Sequence, residues 1–116
     1  MLVVYPAIFY KEKDGSYSVV FPDLNHLATD GSNFKDAMKM AVDCLAGYIY
    51  SEEKDGNTLP PPTPIEKIDP HCEDDPDDDY EEIFVNSVSV DIEKYARLNF
   101  EEQEKMVNQF DLDIGA

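Results

Sequence analysis

The stretch FPDLNHLATDGSNFKDAMKMAVDCLAGYIY, residues 21–50, sets the fold of this 116-residue chain. It runs from a Phe-Pro-Asp-Leu turn through a second turn, residues 30–33, into a long amphipathic segment. Apolar side chains recur there in steps of three or one, which places them on one face of a helix: Phe34, Ala37, Met38, Ala41, Val42, Leu45, Tyr48 and Ile49. The spacing predicts a helix from about Asn33 to about Glu53, with Ser32 or Asn33 as its N-cap.

The segments around this helix predict the sheet that it covers. Residues 2–10 are rich in β-branched and aromatic side chains, and residues 16–21 alternate after an Asp14-Gly15 hairpin turn. Residues 24–29 predict a weaker third strand, and residues 83–92 predict a strand that returns to the sheet. Pro6 removes one ladder donor, so the first strand should be an edge or irregular near it.

The predicted fold class is therefore α+β: a small antiparallel sheet packed by one long helix. A short amphipathic C-terminal helix is expected from about Phe100 to about Gln109. The length favours one domain, with a core over residues 1–68, an acidic mobile loop over 69–82, and a returning strand and helix over 83–116. The proline-rich residues 59–64 must be extended, either as a surface connector or as a ligand for an aromatic groove.

Charge is concentrated in the second part of the chain. The net charge is −17, and residues 69–116 hold 16 acidic side chains against 3 basic ones. Phosphate binding needs clustered Lys and Arg, so direct nucleic-acid binding is not expected. A basic protein partner is favoured instead. The alternative is that the carboxylates only keep the chain soluble.

Candidate chemistry is sparse. The two cysteines and two histidines fall short of a metal site, so no metal or cofactor is expected and both thiols should be free. Four aspartates could be imagined as a cluster for a divalent ion, although each also fits as a turn or cap residue: Asp14, Asp23, Asp30 and Asp91. No apolar run reaches the length of a membrane span and no signal peptide is evident, so a cytoplasmic protein is expected.

Several motifs, in order and spacing, resemble the HicB antitoxins of bacterial HicA–HicB toxin–antitoxin pairs. They are Tyr5-Pro6-Ala7-Ile8, Gly15-x-Tyr17-x-Val19, Phe21-Pro22-Asp23-Leu24, Thr29-x-Gly31, Asp36-Ala37, Ala41-x-Asp43-x-Leu45, Leu59-Pro60-Pro61-Pro62 and, after the linker, residues 88–95. The resemblance gives a structural role to the motif residues Tyr5, Pro6, Phe21, Pro22, Asp23, Leu24, Gly31 and Ala37.

The resemblance implies a partial RNase-H-like fold without nuclease activity. It also implies a basic partner, the HicA toxin, which is a small mRNA-cleaving ribonuclease that HicB members neutralise by covering its active site. Many members carry a C-terminal DNA-binding domain. Only about twenty residues follow Tyr95 here, too few for such a domain, and their net charge is negative, so promoter binding is expected to be absent or very weak. The turn at Asn25-His26-Leu27 also departs from the family, which usually has Pro-Gly-Cys or similar there.

Two functions are weighed on this basis. The first is an antitoxin-like binding protein, not an enzyme, that forms a homodimer by edge pairing of its sheet or through its C-terminal segment. The second is a metal-dependent nuclease on a degenerate RNase-H-like fold, using Asp23 and Asp91. For the first, the acidic loop should present carboxylates where RNA phosphates would otherwise lie on the toxin: Asp74, Asp75, Asp77, Asp78, Asp79, Glu81 and Glu82.

Overall fold

The structure, a computed structural model, describes residues 1–101, with Phe100 and Glu101 described by their backbone alone. One antiparallel sheet has the strand order β3-β2-β1-β4, and its strands are β1 Leu2–Glu12, β2 Tyr17–Phe21, β3 Leu27–Gly31 and β4 Tyr80–Asp91. Helix α1, Phe34–Lys54, follows β3, and a 3-10 turn spans Ile65–Lys67. Helix α2, Ile92–Ala96, follows β4 and continues as a π-helical turn, Arg97–Glu101. The predicted α+β class is confirmed.

The ends of α1 lie where the sequence predicts them. Asn33 is the N-cap, and its Oδ1 accepts a hydrogen bond of 2.8 Å from the backbone N–H of Asp36. Asp36 in turn accepts the backbone N–H of Ser32 at 2.9 Å, so both sides of the cap are satisfied. After the C-cap at Asp55, Gly56 takes a left-handed φ of +74°, which ends the helix.

The main core lies between α1 and the face of the sheet turned towards it, here called the front face. The helix contributes mostly small side chains, which allow a close approach to the sheet: Ala37, Ala41, Leu45, Ala46 and Ile49. The sheet contributes alternate residues of β1, β2 and β4: Tyr5, Ala7, Phe9, Val19, Phe21, Val88 and Val90. Phe34, predicted on the buried face, is 39% exposed and lies at the edge of an aromatic group with Phe9 and Phe84.

Pro6 lies in a strand that is central for only part of its length. β1 pairs with β4 from Leu2 to Glu12, whereas its pairing with β2 covers only Ile8 to Lys11. At Pro6 the strand therefore has β4 as its only strand neighbour. Proline is tolerated there because no strand on the β2 side needs the N–H that it lacks. The predicted edge character holds locally, although β1 as a whole is an interior strand.

Several boundaries differ from those predicted, and β1 and β3 each end two residues later, at Glu12 and Gly31. β3 begins at Leu27 instead of residue 24, because residues 22–26 form the turn that leaves β2. β4 begins at Tyr80, three residues before the predicted start, because the end of the acidic stretch pairs with the end of β1 across a bulge at Lys11/Glu12. The predicted C-terminal helix over residues 100–109 lies almost wholly outside the described residues, and the short C-terminal helix that is described begins at Ile92.

Candidate partner-binding surface

A proline-rich strap, residues 59–64, crosses from the front of the sheet to its other face, the back face. Leu59 packs against the main core, and the hydroxyl of Tyr5 donates a hydrogen bond to the carbonyl of Pro60. Further along, Pro62 and the residues after it line a groove with Val4 on the back face. The crossing lies beside the part of β1 that has no β2 partner. The sequence predicted an extended connector here but not its path.

Asp23 fastens this strap to the turn after β2. Its carboxylate accepts two hydrogen bonds from Thr63, one from the backbone N–H and one from Oγ1, both at 2.7 Å. The contact is partly buried, which strengthens it relative to an exposed bond. Asp23 is therefore committed to holding the strap in place, and this gives the Phe-Pro-Asp-Leu motif a structural reason for its acid.

The acidic segment, residues 69–79, continues from the strap and lies over the Tyr10 end of the back face. Tyr10 is 5% exposed and its ring contacts that of Tyr80 at 5.3 Å between centroids. Burial raises the pKa of Tyr10, and the carboxylate of Asp74 raises it further. Carboxylates of the segment therefore lie near the buried Tyr10 at this end of the back face.

Two contacts tie the acidic segment to the sheet's turns. His26, in the β2–β3 turn, has its Nδ1 2.7 Å from both carboxylate oxygens of Glu73, whose side chain is only 15% exposed. Lys13, in the β1–β2 turn, places its Nζ 3.0 Å from Asp79. The carboxylates from Asp74 to Asp78 therefore lie between two points of contact with the sheet's turns.

Hydrogen bonds within the segment shape it further. The Asp74 carboxylate lies 2.7 Å from His71 Nδ1 and accepts a bond of 3.0 Å from the Tyr80 hydroxyl. Its pKa is lowered, chiefly by the hydrogen bond with His71. Asp78 accepts the backbone N–H of Asp75 at 2.7 Å, and Asp75 accepts that of Asp77 at 3.0 Å. These bonds form a local turn that directs carboxylates outwards.

The predicted partner-binding residues fall into two groups. Five lie in the acidic segment and are exposed: Asp74, Asp75, Asp77, Asp78 and Asp79. Glu81 and Glu82 instead belong to β4, where Glu82 stands opposite Lys11 of β1 and Glu81 is the extra residue of the bulge. All seven lie near one end of the sheet, and their contact with a partner stays a prediction.

The structure gives several of the motif residues a packing or backbone role. Tyr5, Phe21, Leu24 and Ala37 are buried in the core. Gly31 is required because a Cβ there would lie 2.3 Å from the backbone nitrogen of Ala37. The sequence indicates a turn at Asn25 and His26 but not its shape, in which both residues take a left-handed backbone with φ of 56° and 60°. The departure from the usual family turn was the available signal.

Neither Asp23 nor Asp91 is arranged for metal chemistry. Asp91 accepts the backbone N–H of Lys94 at 3.2 Å as the N-cap of α2, and it contacts the N-terminal ammonium. Among residues 1–101, no three His, Cys, Asp or Glu side chains come together as a metal site. Cys44 and Cys72 are free. No helix in this part of the chain has the length and hydropathy to cross a membrane.

Comparison with known proteins identifies the family. Residues 5–113 match the HicB_like antitoxin family of bacterial toxin–antitoxin systems. The chain belongs to this family. It is also similar to Antitoxin HicB 1 of Photorhabdus laumondii, with 31% identity over 61 residues. That stretch is 53% of this chain and 39% of the relative, so the match covers well under half of the relative's length.

Solved structures show the same fold. A chain of a toxin–antitoxin complex from Streptococcus pneumoniae matches with a TM-score of 0.73 and 30% identity, over 82% of this chain and 73% of that one. A chain of the HicA3 and HicB3 toxin–antitoxin complex matches with a TM-score of 0.58 and 26% identity, over 77% and 99%. The N-terminal domain of Burkholderia pseudomallei HicB, at 21% identity and a TM-score of 0.59, supports the fold alone. The HicB-like architecture expected from the sequence is therefore confirmed.

Proposed function

We propose that this HicB-like chain binds a HicA-type toxin, a small basic ribonuclease, and neutralises it by covering its active site. The observation that carries the proposal is the contact of the acidic segment with the sheet's turns at two points, Glu73 and Asp79. The segment's exposed carboxylates lie between the Glu73 and Asp79 contacts to the sheet, instead of on a loop anchored only at its ends. Family membership and the toxin–antitoxin complexes among the similar structures support the choice of partner.

Fixing these carboxylates in advance favours binding in two ways. Less conformational entropy is lost when the partner docks, because the segment already has its shape. The charges are also complementary. A toxin surface that binds RNA phosphates is positive, so the carboxylates of the acidic segment would be attracted to it. The chain then acts by occupying a surface and needs no catalytic group of its own.

The functional test is inhibition of RNA cleavage. Purified chain is titrated against the toxin encoded in the neighbouring reading frame, and cleavage of a reporter mRNA is measured. Cleavage should fall to background near one chain per toxin. Full cleavage in the presence of excess chain would overturn the proposed function.

The role of the acidic segment needs a variant that removes charge and keeps shape. Asp75→Asn, Asp77→Asn and Asp78→Asn together preserve the side-chain oxygens that accept the internal hydrogen bonds. A control triple, Asp30→Asn, Glu53→Gln and Asp55→Asn, removes the same formal charge at exposed positions elsewhere. Association with the toxin at low salt should slow about tenfold for the first triple and much less for the control.

Salt dependence gives a second readout. The difference between the two triples should shrink near physiological salt, where screening limits the reach of a charge to about 8 Å. Equal association rates for the two triples at low salt would show that the acidic segment has no role in capturing the toxin. Neutralisation of the toxin would still be tested separately by the inhibition of RNA cleavage.

A further inference from the structure

β4 is a long edge strand. The sheet order places it at one end, and over its 12 residues no other strand in residues 1–101 pairs with its outer side. The opposite edge, β3, has 5 residues and lies close to α1, with the Ala28 carbonyl 3.9 Å from Cys44 Sγ and Gly31 against Ala37. An exposed edge of the length of β4 is a template for a further strand.

The direction of its backbone groups follows from two hydrogen bonds. The N–H of Glu12 bonds to Ser16 on the β2 side of β1, and the N–H of Ile92 bonds to Met1 on the β1 side of β4. The direction of the backbone N–H and C=O groups alternates along a strand. Every second residue counted back from Ile92 therefore points these groups at β1: Val90, Val88, Asn86 and Phe84. The outward groups therefore belong to Ile83, Val85, Ser87 and Ser89.

An apolar groove on the back face lies beside this edge. It has a volume of about 240 Å³ and is lined by Val4, Pro6 and Ser87 together with the strap and Ile65. Val4 is 40% exposed and Ile65 is 41% exposed, so apolar surface is available there. Ser87 belongs to the edge strand itself and contributes a small side chain to the lining of the groove. Alternate side chains of an added strand would project onto this face.

Charge decides which strand fits. β4 leaves directly from the acidic segment, and Glu81 and Glu82 stand near its start, with Asp91 at its end. Two β4 strands paired antiparallel about Asn86 would set Glu81 of one copy beside Asp91 of the other, which is a repulsive arrangement. A strand with Lys or Arg near the acidic segment and apolar residues at the groove has the complementary pattern.

We propose that the outer edge of β4 accepts a β-strand of the basic toxin, extending the sheet and placing apolar toxin side chains in the back-face groove. The inference rests on the proposed function and adds the mode of attachment to it. It also bears on the predicted homodimer, because β4 self-pairing about Asn86 is disfavoured and the C-terminal segment becomes the route to test.

Hydrogen exchange of single amides tests this mode. The full chain is measured alone and with a catalytically silent form of the neighbouring toxin. The amides of Val85, Ser87 and Ser89 should exchange rapidly in the free chain and gain at least about tenfold protection in the complex. Those of Asn86 and Val88 face β1 and should be protected in both states. This alternation distinguishes strand addition from covering of the region by any other contact.

Other exchange patterns would contradict strand addition to β4. A complex in which the amides of Val85 and Ser87 gain no protection overturns strand addition while leaving the proposed function standing. Protection of these amides already in the free chain also overturns it, and dependence on concentration then identifies a second copy as the occupant. If the chain and toxin form no complex at all, both the inference and the proposed function fail.

A pair of variants at Ser87 gives an independent measurement. Ser87→Pro removes an outward N–H that β1 does not use, a position where edge strands tolerate proline. Ser87→Ala shortens the side chain and keeps the N–H. The Pro variant should bind the toxin at least about tenfold more weakly than the Ala variant. Equal binding by two folded variants contradicts the proposal, and if the Pro variant does not fold, the exchange pattern decides.

Discussion

Asp23 and Thr63, separated by 40 positions in the chain, are joined by two hydrogen bonds of 2.7 Å. This contact holds the strap where it passes from the front of the sheet to the back. The acidic segment follows the strap after the 3-10 turn Ile65–Lys67, so the same contact helps to set where that segment begins its path over the back face. A motif acid in the β2–β3 connection thereby helps to position the surface proposed to meet the toxin.

We expect Asp23→Ala to lower the free energy of unfolding by about 2 kcal/mol, because the N–H and hydroxyl of Thr63 lose a charged acceptor. Thr63→Val removes only the hydroxyl bond and should cost about 1 kcal/mol. The double variant should cost less than the sum, since both changes break the same contact. Denaturant unfolding measures all three, and strict additivity would show that the contact contributes nothing.

Two buried tyrosines of β1 should respond differently to loss of the hydroxyl. Tyr5 donates to the Pro60 carbonyl, so Tyr5→Phe should cost about 1 kcal/mol. Tyr10 Oη is buried without a hydrogen-bond partner in the described part of the chain, so Tyr10→Phe should be neutral or stabilising. Thermal melts of the two variants provide the comparison. A larger drop in melting temperature for Tyr10→Phe than for Tyr5→Phe would show that the Tyr10 hydroxyl, and not that of Tyr5, makes the stabilising hydrogen bond.

The left-handed backbone at His26, with φ of 60°, predicts a residue-specific cost. His26→Gly and His26→Val both remove the contact with Glu73, but only Gly adopts this backbone without strain. The Val variant should therefore be less stable than the Gly variant by about 1–2 kcal/mol. Similar melting temperatures for the two would show that this turn relaxes in solution.

Acid should loosen the acidic segment through Asp74. Its pKa is lowered in the folded chain, mainly by the His71 hydrogen bond. The stabilisation is therefore present above the ordinary Asp pKa of about 3.9 and is lost as the pH falls through the lower folded value. Carboxyl NMR titration should show the Asp74 pKa rising in His71→Ala. An unchanged pKa in that variant would remove His71 as the cause.

The sequence alone determined the features that depend on local periodicity and on turn chemistry. The steps of three and one from Phe34 to Ile49 specify α1, because only one helical face places those side chains together. Side-chain capping chemistry narrows the start of α1 to Ser32 or Asn33, and Asn33 is the N-cap. The clustering of carboxylates over residues 73–82 likewise needed no structure to be seen, and the motifs identified the family before any fold was available.

Only the tertiary structure decided how distant segments meet. No local pattern indicates that Asp23 binds Thr63 or that His26 meets Glu73 across 47 positions, because such contacts depend on the path of the strap. Pro6 is a further example. Its position in the sequence indicates that one sheet hydrogen bond is missing, but not which adjacent strand is absent at that point. Local sequence sets backbone preferences, but the pairing of strands is settled by burial of both sheet faces at once, and that is why the edge position of β4 could be read only from the folded chain.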